Sequence, residues 1–385
     1  MEGAHGDSGA KGERQQAMDA LTKIYLEPTS RCNLNCVTCI RHVWDEPAGD
    51  MEWPVYQALI DGLMDFPGPK TIAFAGLGEP LLHERFVAMV ALAHGRGLRT
   101  EMTSNALLLT PALAERLLAA GLDQFTVSID GAADGSHGVI RPGASLSAIR
   151  ANVGRLAWLS EERGEASLRI GIEFVAMRRN IHELPALREI ARSVRASFIL
   201  VSNLLPYTAA LQDEILYHLG PTTGEGQGGP DDPLWILPHL DWNQETEATL
   251  TRFMRQQPRV SFLDTGLDRR NNHCPFVQGG SLAVAWHGGV SPCPPLLHSY
   301  RCFIRGREKA FRRCEFGRLP GESLLAIWRQ PDYMTFRERV RRFEFSPCTD
   351  CGGCDLAERN EEDCFGNPFP VCGDCLWARG VLRCA

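Results

Sequence analysis

The chain has 385 residues, of which 44% are hydrophobic and 23% charged, with a formal net charge of −7. These are ordinary values for a globular protein long enough for one barrel-sized core and a smaller domain. The negative charge argues against a nucleic-acid partner, since such binding usually needs a basic patch. No apolar run reaches the length of a membrane span or forms a signal peptide, so we expect a cytoplasmic protein with no membrane partner.

The repeated pattern along the chain predicts an α/β fold. Residues 1–18 are small and polar, and we expect them to be disordered. Beyond them, six short apolar runs predict strands at 23–28, 71–76, 99–105, 124–130, 168–175 and 197–203. The amphipathic stretches between them predict helices over 55–66, 84–97, 111–121, 145–164 and 182–196. Six such units in a row predict a parallel sheet, either barrel-like or doubly wound. No G-x-G-x-x-G follows the first strand, which disfavours a nucleotide-binding doubly wound fold.

A change in composition divides the chain after this repeat. We predict a core over 19–218, a glycine- and proline-rich linker or loop region over 219–264, and a small cysteine-rich region over 265–385. One helix is expected in the last region, over 321–342, with a break at Pro331.

Fourteen cysteines are distributed very unevenly. Three lie at 32–39, none between 40 and 273, and eleven between 274 and 384. A reducing compartment keeps thiols reduced, so clustered cysteines there are more often metal ligands than disulfides. The distribution therefore predicts two separate metal-binding regions.

The first cysteine group is Cys32-x3-Cys36-x2-Cys39, directly after the first predicted strand. Active sites of parallel α/β folds lie at the carboxyl ends of the strands, where this group is placed. Three thiolates on a [4Fe–4S] cluster use all three residues and leave one iron for an exchangeable ligand. Half of a zinc site and a redox-active Cys36–Cys39 pair remain as alternatives.

This cysteine pattern, followed by the strand–helix repeat over residues 20–215, resembles the radical S-adenosylmethionine (SAM) superfamily. The resemblance implies a partial (β/α)6 TIM-like barrel whose [4Fe–4S] cluster binds SAM through its open iron. It also implies that SAM is reductively cleaved to a 5′-deoxyadenosyl radical, which abstracts a hydrogen from a substrate. A ferredoxin or flavodoxin is the implied low-potential electron donor.

The resemblance also implies SAM contacts from residues at the ends of later strands. The implied contacts are Gly76, Gly78, Glu79, Asn105, Ser128, Asp130 and Arg141. Glu79 would accept hydrogen bonds from the SAM ammonium group, and Asp130 would contact the SAM carboxylate or ribose. Arg141 would pair with the SAM carboxylate, for which a guanidinium fork is suited. An ordinary turn at Asp130 and an ordinary loop arginine at Arg141 remain open, and Asn203 is a weaker candidate contact.

The C-terminal cysteines resemble the SPASM extension of radical SAM maturases, which implies one or two auxiliary [4Fe–4S] clusters. The implied ligands are Cys274, Cys293, Cys348, Cys351, Cys354, Cys364, Cys372, Cys375 and Cys384. Their spacing departs from the usual form by an extra cysteine and longer gaps, so their grouping stays open, and a zinc ribbon remains an alternative. Cys302 and Cys314 are expected to be spare structural thiols, and His287 and His298 to be turn residues.

Two segments, 39–51 and 360–384, are similar to maturases of tungsten-cofactor oxidoreductases. This similarity implies a tungsten oxidoreductase, or its pterin cofactor, as the substrate. The arginine-rich segment 301–318 would suit an anionic group, and an ordinary solvated face remains the alternative for it. Two alternatives remain. One is a peptide- or protein-modifying enzyme that forms thioether or carbon–carbon crosslinks, or oxidises a side chain as sulfatase maturases do. The other is a non-catalytic iron–sulfur electron-transfer protein. No general acid or base can be named from the sequence.

Overall fold

The computed structural model describes residues 20–164, 168–217, 233–238, 240–241, 243–256, 259–262, 273–304, 306–346 and 354–384. The predicted disordered segment, much of the predicted linker, and Cys348 and Cys351 lie outside these residues. None of the helices in the described part is long and apolar enough to cross a lipid bilayer.

One large sheet organises the described part of the chain. Its first eight strands are β1 (Lys23–Leu26), β2 (Thr71–Phe74), β3 (Arg99–Ser104), β4 (Gln124–Ser128), β5 (Arg169–Ala176), β6 (Phe198–Asn203), β7 (Leu234–Leu237) and β8 (Arg259–Phe262). These eight pair in parallel and in chain order. The predicted α/β class with a parallel sheet is therefore confirmed.

Helices cover this sheet. They are α1 (Trp53–Leu63), α2 (Phe86–Gly95), α3 (Pro111–Ala119), α4 (Asp134–Ile140), α5 (Leu146–Glu162), α6 (Leu187–Ser193) and α7 (Glu247–Arg255). Local sequence fixes several of their first turns: the hydroxyls of Thr110 and Ser145 accept hydrogen bonds from the third backbone N–H beyond them. All residues of β4 and of β6 are buried, as expected for central strands of a parallel sheet that has helices packed on it. The polar residues of these strands lie mostly toward their ends, where Ser128, Ser202 and Asn203 close the two strands.

The C-terminal region continues the same sheet. Its strands are β9 (Ser281–Val284), β10 (Gly289–Ser291), β11 (Tyr300–Ile304), β12 (Arg307–Phe311) and β13 (Gly317–Arg318), followed by α8 (Leu324–Trp328) and α9 (Pro331–Arg342). Strand β9 pairs in parallel with β1, and the order of the sheet is β13-β10-β9-β1-β2-β3-β4-β5-β6-β7-β8. The edge of β1 is thereby covered, which removes an unpaired row of backbone groups. The predicted helix break at Pro331 is confirmed, because Pro331 begins α9.

From residue 234 onward, the segment 219–264 that was predicted as a linker or loop region contains β7, α7 and β8. Strand β7 pairs with β6, and β8 pairs with β7, so the parallel repeat continues beyond residue 215. These strands have only four residues each. Such short runs, next to a glycine- and proline-rich stretch, give no clear periodicity.

Candidate active site

A cavity of about 320 Å³ opens at the carboxyl ends of the parallel strands, and Cys32, Cys36 and Cys39 line it. We call it the cysteine cavity. The loop that carries these cysteines is held by Asp50, whose carboxylate accepts a hydrogen bond from the Thr29 hydroxyl at 2.6 Å and pairs with Arg31. The loop between β1 and α1 therefore presents three thiols to one space, as the spacing predicted.

The environment of these thiols suits metal binding. Burial raises the pKa of the Cys36 thiol to about 11, while the nearby Arg141 guanidinium opposes this shift. Arg141 Nη1 lies 3.9 Å from Cys36 Sγ. Burial also raises the pKa of Cys39, against the influence of Arg41. Thiols of this kind release their protons when a metal binds, and a guanidinium beside them favours the thiolate.

Gly76 and Gly78 lie in the wall of the cavity, after β2. A Cβ atom on Gly78 would lie 2.2 Å from the carbonyl oxygen of Thr29 and 2.6 Å from that of Arg31. Gly76 has a φ of 110°, and a Cβ there would lie 2.8 Å from side-chain carbons of Glu27. Both positions need glycine because the loop after β2 packs directly on the segment that leads to the cysteines.

Glu79 and Asn105 join this loop to the end of β3. The Glu79 carboxylate is 2% exposed and accepts hydrogen bonds from Ser104 Oγ at 2.8 Å, Asn105 N at 2.8 Å and Leu81 N at 3.1 Å. A carboxylate has about four acceptor positions, so one remains for a ligand. Asn105 Nδ2 donates to Asn33 Oδ1 at 2.9 Å, beside the first cysteine. Both residues line the cysteine cavity.

Ser128 and Arg141 also line the cavity, but Asp130 does not. Asp130 is fully buried: one carboxylate oxygen accepts from Arg141 Nε at 2.7 Å and the other from Val175 N at 2.8 Å. The structure thus differs from the expected direct contact between Asp130 and SAM. The carboxylate instead holds the guanidinium of Arg141 at the cavity wall.

The sequence did not single out Glu173, whose side chain lies in the wall of the cavity from the middle of β5. Burial raises its pKa to about 7, although Arg141 opposes the shift. The signal for this residue was a carboxylate inside the apolar run 168–175, since charged residues are rarely buried in such strands without a function or a partner.

The end of the chain was also missed as part of this site. Tyr207, Trp377 and Arg383 line the cysteine cavity. Asn203 Nδ2 donates to the carbonyl of Val381 at 2.9 Å, so the end of β6 holds this C-terminal segment. No local pattern predicts that residues 377–383 fold back over the barrel.

Four C-terminal cysteines share one environment. Burial raises the pKa of Cys293 well above its ordinary value, and Cys274, Cys375 and Cys372 each raise it further. Burial also raises the pKa of Cys372, and the Cys375 and Cys274 thiols add to this shift. For Cys375, burial is again the largest cause and Cys274 raises the pKa further. We call these residues the four-thiol group. Its four cysteine ligands are the number that a [4Fe–4S] cluster requires.

The remaining predicted ligands divide into two sets. Cys354 and Cys364 are exposed, while Cys348 and Cys351 lie outside the described residues. Cys384 is different: Trp377 Nε1 donates to its Sγ at 3.2 Å, and burial followed by Glu173 raises its pKa to about 12. The cysteines of the four-thiol group are not among the residues with the strongest effect on the pKa of Cys384.

Cys302 and Cys314 are buried thiols outside these groups. Within the described residues, no three His, Cys, Asp or Glu side chains converge closely enough to hold a single metal ion. The thiols of a cubane cluster each bind a different iron, so they stand farther apart than the ligands of one ion. The cysteine loop and the four-thiol group therefore fit iron–sulfur clusters by number and type of ligand.

His298, expected to be a turn residue, joins the C-terminal region to the barrel. It is 1% exposed, and its ring nitrogens lie 2.9 Å from Glu27 and 2.7 Å from Glu46. Burial lowers the pKa of His298, but the two carboxylates outweigh this effect and raise it to about 9.

Two segments match known families. Residues 26–157 match the Radical SAM superfamily, and residues 274–355 match SPASM, an iron-sulfur cluster-binding domain. The first segment contains the cysteine loop and most of the cavity wall, and the second contains Cys274 and Cys293 of the four-thiol group.

Relatives and solved structures agree with these families. The chain is 32% identical over 370 residues to the tungsten-containing aldehyde ferredoxin oxidoreductase cofactor-modifying protein of Pyrococcus furiosus, covering 94% of this chain and 96% of the relative. It is 29% identical to the AdoMet-dependent heme synthase of Nitratidesulfovibrio vulgaris, covering 96% and 97% of the two chains. Its fold resembles that of Streptococcus suis SuiB bound to S-adenosylmethionine, with a TM-score of 0.61 and 14% identity over 89% of this chain and 73% of SuiB. It also resembles native anSMEcpe with bound AdoMet, with a TM-score of 0.56 and 17% identity over 88% of both chains.

These matches confirm the predicted family, its barrel fold and its cofactors, namely SAM and [4Fe–4S] clusters. The chain belongs to the radical SAM superfamily of enzymes, and it carries a C-terminal SPASM iron–sulfur domain.

Proposed function

We propose that this enzyme carries out a maturation reaction on the tungsten–pterin cofactor of an oxidoreductase, or on the oxidoreductase itself. The observation that carries the proposal is the near full-length similarity to a protein named for modifying such a cofactor. The cysteine cavity supports it, because the residues that would hold SAM surround one space that is large enough for a ligand.

In this proposal, Cys32, Cys36 and Cys39 hold the cluster that binds SAM. When bound, this cluster and SAM supply a 5′-deoxyadenosyl radical that removes a hydrogen atom from the substrate. Glu79 accepts a hydrogen bond from the SAM ammonium group at its remaining acceptor position. Arg141, held by Asp130, pairs with the SAM carboxylate.

Further polar contacts to SAM are assigned to Asn105 and Ser128, which line the same cavity. Gly76 and Gly78 keep the loop after β2 close to the cysteine segment. Together these residues orient the cofactor.

The four-thiol group is assigned to one auxiliary cluster. Cys348, Cys351, Cys354 and Cys364 are assigned to a second cluster. Cys384 is left out of both clusters because its charged neighbours are Glu173, Lys23 and Arg383 rather than other thiols. Residues 19–218 and 265–385 remain our proposed core and auxiliary regions. Enzymes of this superfamily need a one-electron reductant, for which we propose a ferredoxin or flavodoxin.

A host that makes a tungsten-dependent aldehyde oxidoreductase provides the test. In this host, the gene for the radical SAM enzyme is replaced by its Cys36→Ala variant. The oxidoreductase is then purified, and its activity and the mass of its extracted cofactor are measured. We expect loss of activity and a changed cofactor mass. The Cys302→Ala variant, which alters a thiol outside the assigned groups, should leave both unchanged. An active oxidoreductase with an unchanged cofactor in the Cys36→Ala host would contradict the proposal.

A further inference from the structure

A second cavity of about 160 Å³ adjoins the cysteine cavity. The two share several wall residues, including Glu173, Tyr207 and Trp377. We call it the aromatic cavity, because Tyr25, Tyr207, Tyr300 and Trp377 form much of its wall. A group bound there would lie next to the space assigned to SAM, within the same barrel.

The aromatic walls are held in place by packing. Tyr300 stacks on Phe311 with ring centroids 5.0 Å apart and meets the edge of Tyr207 at 5.7 Å. Tyr25 makes an edge contact with Phe276 at 5.6 Å. Fixed aromatic faces favour flat conjugated ligands, which bury both faces against them at little cost in conformational entropy. A cavity of about 150 Å³ accepts a single aromatic ring. A second, fused ring would extend toward the adjoining cysteine cavity, with which this cavity shares several wall residues.

Glu173 contributes a carboxyl group to this wall. Among the described residues, the Glu173 side chain makes no hydrogen bond or ion pair, although it lies within electrostatic reach of Arg141 and Asp130. Neighbouring carboxylates are satisfied: Asp130 and Glu79 each accept at least two hydrogen bonds. Glu173 is only partly buried, so its carboxylate oxygens are open to the cavity and can accept hydrogen bonds from water or from a ligand. Glu173 therefore marks the polar end of an otherwise largely apolar space.

We propose that the aromatic cavity binds a flat heterocyclic ring of the substrate, and that Glu173 pairs with an amidine edge of that ring. In such an edge a ring N–H and an exocyclic amino group lie side by side, and a carboxylate accepts from both at once. This substrate class rests on the proposed function, because it assumes that the reacting molecule lies beside SAM. Beyond the proposed function, it assigns the ring to the aromatic cavity and its recognition to Glu173.

The test uses the anaerobic holoenzyme with SAM bound and two flat probes of equal size. Pterin carries the amidine edge, and lumazine has a carbonyl in place of the amino group. Binding is measured by calorimetric titration of each probe. We expect pterin to bind about tenfold more tightly than lumazine, since a hydrogen bond to a charged group is at stake.

Three variants locate the interaction. Glu173→Gln should bring the two probes to nearly equal affinity and leave the affinity for SAM unchanged. Tyr207→Leu should weaken both probes alike, because it removes an aromatic wall. Glu101→Gln, which alters a carboxylate on β3 that pairs with Lys23, should change neither probe.

Three outcomes would overturn the proposal: no binding of either probe, equal binding of both by the unaltered enzyme, or a Glu173→Gln variant that loses SAM as strongly as pterin. The first two comparisons need no variant, so they hold even if Glu173→Gln fails to fold. Formation of 5′-deoxyadenosine is measured on the same samples. A sample that cleaves SAM but does not discriminate between the probes contradicts this inference alone and leaves the proposed function standing.

Discussion

At the scale of single residues, the pair of Asp130 and Arg141 shows how the site is prepared. Asp130 is completely buried and has both oxygens occupied, one by the Arg141 guanidinium. Arg141 therefore reaches the cavity with one edge already fixed and with Nη1 beside Cys36. Such fixed geometry lowers the conformational entropy lost when an anion binds.

The Asp130→Asn substitution should weaken the contact that holds the Arg141 guanidinium, while the asparagine side chain still fills the volume of the aspartate. We expect the KM for SAM to rise about tenfold, as for one lost charge-assisted hydrogen bond, with a smaller change in kcat. Steady-state formation of 5′-deoxyadenosine at varied SAM concentration measures both constants. Asp123→Asn, which alters a carboxylate bonded to Thr100 at the other end of the sheet, is the control for a purely structural effect. Equal changes in KM for the two variants would contradict the positioning role of Asp130.

Gly78 gives a second prediction at this scale. The methyl group of Gly78→Ala would meet two carbonyl oxygens of the cysteine segment at 2.2 and 2.6 Å. We expect a loss of about 1–3 kcal/mol in the free energy of unfolding and less iron on the cysteine loop, measured by denaturation and iron analysis. Gly95→Ala is the matched control, because nothing lies within 4 Å of the added methyl group. A Gly78→Ala protein with unchanged stability and iron content would refute the close packing of these two loops.

At the scale of elements, the ends of β1 to β6 carry most of the site. This much follows from the sequence, because strands buried on both faces are continuous apolar runs and their carboxyl ends meet at one edge of the sheet. Glu79, Asn105 and Ser128 could be placed in this way, whereas Arg141, which follows α4, was indicated only by the family resemblance. The role of Asp130 could not, because it depends on the position of Arg141 after α4 rather than on the strand itself.

Features that depend on contacts between distant parts of the chain could not be predicted from the sequence. The four-thiol group combines cysteines before β9 and after β10 with two from the C-terminal segment, and many pairings of eleven cysteines are compatible with the spacing. Glu173 carried a local signal, yet only the fold shows which cavities it faces. The strands β7 and β8 were too short for their periodicity to separate them from a loop.

The hairpin of β11 and β12 supports the four-thiol group through one buried ion pair. Lys309 Nζ lies 2.5 Å from the carboxylate of Asp374 and also donates to the carbonyls of Ala357 and Arg359. Asp374 lies between Cys372 and Cys375 of the four-thiol group in the sequence. The side chains of Lys309 and Asp374 are at most 5% exposed. Removing one partner of such a pair leaves a buried charge and breaks several contacts at once.

Lys309→Met should therefore lower the free energy of unfolding by about 3–5 kcal/mol and reduce the iron content by about four atoms per chain, one cluster. Chemical denaturation and iron analysis measure these effects. Arg301→Met in the same hairpin removes an exposed pair with Glu308 and should cost about 0–1 kcal/mol with full iron content. Full iron content in Lys309→Met would show that the ion pair does not support the cluster.

At the scale of the whole molecule, the C-terminal region is an integral part of the barrel. Strand β9 extends the sheet beside β1, and the C-terminal segment forms part of the cysteine cavity wall. His298 fastens the two parts together through Glu27, just after β1, and Glu46, which also lies near Arg313.

This contact predicts a loss of stability at high pH. The pKa of His298 is about 9 in the folded protein, against 6.5 as its ordinary value. A raised pKa contributes stability that is complete below pH 6.5 and is lost as pH rises through 9, here about 3 kcal/mol. Thermal unfolding of the holoenzyme from pH 6 to 10 should show this decline in the native protein and a much flatter profile in His298→Gln. Parallel profiles for the two proteins would contradict a charged His298.

The central claim is that the cysteine cavity binds a cluster that cleaves SAM. The direct test is anaerobic reconstitution with iron and sulfide, followed by addition of dithionite and SAM and measurement of 5′-deoxyadenosine. We predict its formation by the native protein and by Cys302→Ala, and its absence in Cys36→Ala. A native protein with fully loaded clusters that forms no 5′-deoxyadenosine, or a Cys36→Ala variant that still forms it, would contradict the claim.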